Sequence, residues 1–155
     1  MRTVHEWLAE YGESHRHPTN ELLHWICVPV IVLCVLGFLW AIPVPAALAS
    51  VSPYLNWATL VIAAGLVYYA ALSPQLALGM LPVMLVLVLL LTRLDALATP
   101  LWLLCLVAFV VAWVGQFVGH AIEGKRPSFF QDVQFLMIGP LWLLSFVYRR
   151  LGLRY

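Results

Sequence analysis

The chain has 155 residues, 64% of them hydrophobic and 10% charged, with a formal net charge of +1. Soluble globular domains carry roughly 25% charged residues, and a nucleic-acid binder shows a basic patch that this chain lacks. The composition excludes both, and the placement of the charges says what replaces them. Residues 22–92 contain no Asp, Glu, Lys or Arg, and neither do residues 96–122. Uncharged apolar runs of about 18 residues or more are read as transmembrane helices. The expectation is an all-α, polytopic membrane bundle forming one domain. A surface helix and His-rich loop would occupy residues 1–20, the bundle 21–148 and a basic tail 149–155.

Residues 3–11 predict a short amphipathic helix. Thr3 and Glu6 have the spacing of a capping box, and Val4, Trp7, Leu8 and Tyr11 fall on one face at i, i+3, i+4 and i+7. Gly12 ends it. Such a helix lies along the membrane surface or over the bundle. Pro18 then breaks the chain, and Thr19 or Asn20 is placed to cap the first span, about 21–42, which stops at Pro43-Val44-Pro45. This span is not a cleavable signal: a polar segment precedes it, and no small-residue cleavage site follows.

The second span is expected over about 54–72, after Ser52-Pro53. A tight turn at Ser73-Pro74 leads to a third, about 75–93, kinked near Pro82. After the short polar loop that holds Arg93 and Asp95, a fourth runs over about 100–121. The most polar loop, Glu123 to Ser128, follows. The last apolar segment, 133–148, is short for a span and is interrupted by Gly139-Pro140. A half-span, a re-entrant segment or a tilted fifth helix is expected there. The three cysteines, Cys27, Cys34 and Cys105, lie inside apolar runs without a CxxC and read as small buried residues. Trp25, Trp40, Trp57, Trp102, Trp142 and Tyr148 sit near span ends and read as an interfacial belt.

Four spans put residues 1–20 and 122–130 on one side. Arg2, Arg16, Lys125 and Arg126 make that side cytoplasmic by the positive-inside rule. His15, His17 and His24 then share a membrane face with His120 and Glu123, about 100 residues away in sequence. Gln116, His120 and Glu123 fall at i, i+4 and i+7 on one face of the fourth helix, and Asn20 and His24 at i, i+4 on the first. Gly119 allows a neighbour close to His120. Ionisable groups at such positions default to a functional role, and several imidazoles with a carboxylate suit iron, zinc or manganese. His15, His24 and His120 are the expected metal ligands, with His17 or Glu123 completing or supporting them. Interfacial histidines also bond lipid headgroups or cap helix ends, and His5, outside the cluster, is read that way. Glu123 has a second reading, as an ion-pair partner of Lys125 or Arg126.

These segments carry a family resemblance. The pattern Tyr…His-x-x-Pro-x-Asn-x-x-x-His, followed later by Gln-Phe-x-Gly-His and Glu…Arg-Pro, is met by Tyr11, His15, Pro18, Asn20, His24, Gln116, Phe117, Gly119, His120, Glu123, Arg126 and Pro127. It resembles the fungal 2-hydroxy fatty acid dioxygenase family, which has bacterial membrane members, and it covers most of the chain. Two departures stand out: the acid follows the histidine by three residues rather than four, and His17 stands where relatives have Asn. The resemblance implies a multi-pass membrane enzyme that uses Fe(II) and O2. It would shorten a long-chain 2-hydroxy fatty acid by one carbon, at the cytoplasmic face of a bacterial inner membrane or of the endoplasmic reticulum. Glu123, Arg126, Asn20 and Gln116 are the catalytic candidates. Arg126, Lys125 or Arg16 would attract the substrate carboxylate, and membrane lipid would surround the bundle. A zinc hydrolase acting on lipid, or a non-enzymatic lipid-binding protein with structural histidines, is the alternative. The HxxxH and HxxHH boxes of membrane desaturases are absent.

Overall fold

The computed structural model describes residues 2–52, 54–126 and 134–155. All regular structure among them is α-helical: α1 (Val4–Gly12), α2 (Pro18–Ala41), α3 (Ala46–Ala49), α4 (Trp57–Leu72), α5 (Pro74–Asp95), α6 (Leu101–Glu123) and α7 (Phe135–Arg150). Three of these, α2, α5 and α6, are long and apolar enough to cross a membrane. At about 1.5 Å per residue, the 24 residues of α2 reach ~36 Å, beyond the ~30 Å of a hydrocarbon core. The expected second span is shorter than anticipated. Asn56 caps α4 through Thr59 and delays its start, so the helix has 16 residues, about 24 Å.

The amphipathic reading of α1 holds in detail. Thr3 and Glu6 form the capping box, and Val4, Trp7, Leu8 and Tyr11 are the buried residues. That face packs on α7, with Trp7 edge-on to Phe135 at 5.4 Å between ring centroids. The cap of α2 differs from expectation. Thr19 and Asn20 lie inside the helix, and His17 is the N-cap, its Nδ1 accepting the Thr19 N–H at 3.2 Å. Pro18 fits the first helical turn because its missing N–H would be unbonded there anyway. The helices α5 and α7 run unbroken through Pro82 and Pro140.

The core element pair is α2 and α6, which pack antiparallel along most of their lengths. Glycines set how closely they approach. A Cβ on Gly115 would meet Cys27 Sγ, one on Gly37 would meet Cys105 Sγ, and one on Gly119 would collide with Asn20 Oδ1. Small residues at such seams let backbones approach where water cannot drive helices together. All three cysteines are buried in or near this seam.

Several contacts of α7 lie at one end of the bundle. Its first residue, Phe135, touches Trp7 of α1. Its Tyr148 hydroxyl donates to the Gln75 carbonyl at the start of α5, and the Tyr155 ring beyond it lies tilted beside His5, centroids 5.2 Å apart. Trp142, expected in an interfacial belt, is buried here against Tyr11 and His15, at 5.4 and 5.2 Å.

Candidate metal centre

The tight α2–α6 seam fixes where two histidines meet. His24 lies two turns into α2 and His120 one turn before the end of α6, and their rings stand nearly perpendicular with centroids 5.1 Å apart. The third, His15, comes from the loop between α1 and α2. Its ring lies flat on Tyr11 (4.2 Å, 11° between planes) and against Trp142. It faces His24 at 4.1 Å and His120 at 4.9 Å. All three are at least 97% buried, and one ring nitrogen of each lies within 4.8 Å of the others. The group can hold a metal ion.

Hydrogen bonding fixes the chemistry of two of these rings. His15 Nδ1 lies 2.6 Å from the Tyr11 carbonyl, and His24 Nδ1 lies 2.9 Å from the Asn20 carbonyl. A carbonyl only accepts, so each Nδ1 carries the ring's proton and each Nε2 presents a lone pair. Those two Nε2 atoms face one another at 2.8 Å. Lone pair against lone pair is repulsive unless a cation or a proton lies between. A proton is not favoured: burial, with His24 beside it, holds the His15 imidazole down to about 3, far below its ordinary value. A metal ion satisfies both nitrogens, because 2.8 Å is short enough for each to reach one ion at the typical ~2.0–2.1 Å. Backbone carbonyls on the far nitrogens are the usual device for orienting ligating histidines.

Three more buried polar atoms in this region have no hydrogen-bond partner: His120 Nδ1, Gln116 Nε2 and Asn20 Oδ1. Buried amide and imidazole atoms are rarely left so, because each orphan costs about 1–3 kcal/mol. A cavity of about 50 Å³ is lined by Tyr11, His15, His24, Gln116 and His120. Donor set, lone-pair clash and orphaned atoms together fit a cation with further ligands from a small polar molecule.

Glu123 and His17 stand outside the cluster, and each holds the loop that carries His15. Glu123 accepts the backbone N–H groups of Arg16 and His17 at 3.1 and 2.7 Å and the Asn20 amide at 3.4 Å. His17 is exposed, and its ring caps α2. The ion pair of Glu123 with Lys125 or Arg126, an open alternative in the sequence, is not among the described contacts. Lys125 Nζ instead donates to the Glu13 carbonyl at 2.7 Å. Gly124, with φ +72°, takes the left-handed conformation that ends α6 and turns Lys125 back toward that loop. Arg126 is exposed, and Pro127 and Ser128 lie outside the described residues.

Asn20, which is fully buried, also donates to the Ser14 carbonyl at 3.0 Å. Ser14 and Trp142 are the supports that sequence reasoning missed. Ser14 acts only through its backbone, which no side-chain pattern reveals. Trp142 is buried by the approach of α1 to α7, a tertiary contact with no local signal.

No curated protein and no solved structure matches the chain. A family match covers residues 1–151 under the description 2-hydroxy-palmitic acid dioxygenase Mpo1-like, and the chain therefore belongs to that family.

Proposed function

We propose that this protein is an Fe(II)-dependent dioxygenase of long-chain 2-hydroxy fatty acids, with His15, His24 and His120 as the iron ligands. The reaction takes R–CH(OH)–COOH and O2 to R–COOH, CO2 and H2O. It oxidises the hydroxyl-bearing carbon to the new carboxyl group and releases the old one as CO2. The family membership supports the reaction class. The observation that carries the site is the 2.8 Å approach of two Nε2 atoms whose Nδ1 hydrogens are both committed to carbonyls.

Iron bound there would supply the redox partner for O2 and a Lewis acid for the α-hydroxycarboxylate. The chain's own groups do the rest. Tyr11 and Asn20 hold the ring tautomers through their carbonyls, and the buried cavity keeps bulk water away from the reacting end. Gln116 Nε2, a buried donor without a hydrogen-bond partner on the cavity wall, would hydrogen-bond the substrate's carboxylate. Glu123 acts as a positioning residue for the 14–17 loop. Arg126 and Arg16 are exposed at the same end and attract the anionic headgroup.

In the bilayer we place this end at the cytoplasmic face, with α4 as a fourth crossing where the bilayer thins locally and α7 returning without crossing. A cysteine-reactive, membrane-impermeant label should then reach substituted Glu13, Arg126 and Arg150 from one side.

The test of the reaction is anaerobic purification followed by addition of O2 and 2-hydroxypalmitate. O2 uptake matched by CO2 release and pentadecanoate is expected. Turnover of a lipid ester without O2 uptake would favour a zinc hydrolase. Absence of both metal and turnover would leave a non-enzymatic lipid-binding protein.

A further inference from the structure

The histidine cavity is too small for a fatty acid, but apolar space adjoins it. The larger chamber, about 310 Å³, lies between α2, α4, α6 and α7. It shares Ile31, Val32, Trp113 and Leu136 with the wall of the histidine cavity. A smaller hollow of about 190 Å³ between α2, α5 and α7 shares only Val28 and Val32. The chamber also extends along the bundle. Leu36 on its wall is 12 residues beyond His24 on α2 (36 − 24), and Phe109 is 11 residues before His120 on α6 (120 − 109). At about 1.5 Å per residue, both helices put its far end roughly 16–18 Å from the histidines along the bundle.

Two features of the wall concern occupancy. Tyr69 donates to the Met137 carbonyl at 2.9 Å, pinning α4 to α7 beside the chamber. Gly65 is buried at the same level, and a Cβ added there would meet only Met137 Cε, at 3.5 Å. The missing side chain leaves room that any larger residue would take.

Resting on the substrate class proposed above, we infer that the α2/α4/α6/α7 chamber seats the substrate's acyl chain and that Gly65 sets the room for long chains. The occupant follows from adjacency. One end of the chamber shares its wall with the polar cavity that would take the head, and the rest offers apolar walls to an alkyl tail. Filling the chamber at Gly65 displaces methylenes and removes the packing contacts they make with its walls. Long acids should therefore lose affinity, while short acids, which fill less of the chamber, should lose little.

The test is equilibrium binding of 2-hydroxypalmitate and 2-hydroxyoctanoate to the purified, metal-loaded full chain in detergent, in the absence of O2. Gly65→Leu should weaken 2-hydroxypalmitate binding about tenfold, or 1.4 kcal/mol, and leave 2-hydroxyoctanoate binding and metal content within about twofold. Gly65→Ala, which the 3.5 Å contact accommodates, should give a smaller loss in the same direction and serves if the leucine variant fails to fold. Val83→Phe fills the α2/α5/α7 hollow and should change neither ligand. Equal binding of 2-hydroxypalmitate by wild type and both Gly65 variants would overturn the assignment, and so would a selective loss in Val83→Phe. Failure of the wild type to bind 2-hydroxypalmitate would overturn it as well. Tight, Gly65-sensitive binding without O2-dependent turnover would instead leave the seat standing and remove the proposed reaction.

Discussion

The two ends of the bundle are built from the same apolar helices but treat their polar groups in opposite ways. At one end His15, Asn20, His24, Gln116 and His120 are buried and converge from α2, α6 and the loop before α2. Several of their atoms lack partners, and two lone pairs oppose each other. At the other end, Trp40 Nε1 donates to Asp95 at 3.3 Å and Trp57 Nε1 to the Pro43 carbonyl at 3.2 Å, both exposed. The Asn56–Thr59 capping box there is complete. A bundle needs only the second arrangement to be stable in lipid. Burying incompletely satisfied groups costs free energy, so the histidine end fits a bound ion better than a purely structural role.

The largest break in this comparison should come from the rings themselves. His24→Ala or His120→Ala is expected to lower turnover of 2-hydroxypalmitate by more than about 100-fold, beyond the ~10–100-fold range of changes to groups that merely orient a ligand. Steady-state O2 uptake measures this, and far-ultraviolet circular dichroism should show the helices retained. An intermediate effect belongs to Glu123→Ala. It frees the Arg16 and His17 N–H groups and loosens the loop that presents His15, so metal affinity should fall about tenfold while some turnover persists at high iron. A competition titration with a chelator would show it, and an unchanged affinity would separate Glu123 from the site.

Much of this end was legible in the sequence for a physical reason. Helical periodicity and hydropathy place side chains on faces and at depths, which is enough to bring His24, His120, Gln116 and Asn20 together. The spacing of Thr3, Val4, Trp7, Leu8 and Tyr11 gave α1 its cap and its buried face. The failures were local caps read past and one tertiary contact with no local signal. His17 looked like a ligand because it lies between two others, but the chain's direction at Pro18 turns it into a cap. Trp142 looked interfacial until α1 covered it, and the start of α4 moved inward with the Asn56 cap.

Smaller effects sharpen the contrast. His17→Ala should cost about 1 kcal/mol of stability, as lost N-caps do, without changing metal content. Thermal unfolding and elemental analysis on the same sample would check both. A metal loss there would return His17 to the ligand set. Smallest of all, Trp40→Phe or Asp95→Asn at the opposite end should leave metal content and turnover within about twofold, since exposed hydrogen bonds contribute little net free energy.

The central claim is that three buried imidazoles hold one ion. Elemental analysis of the anaerobically purified protein, beside its His15→Ala, His24→Ala and His120→Ala variants, tests it most directly. The account predicts close to one iron per chain in the parent and a near-complete loss in each of the three, with His5→Ala unchanged. Folded variants that keep the parent's full metal content would contradict it.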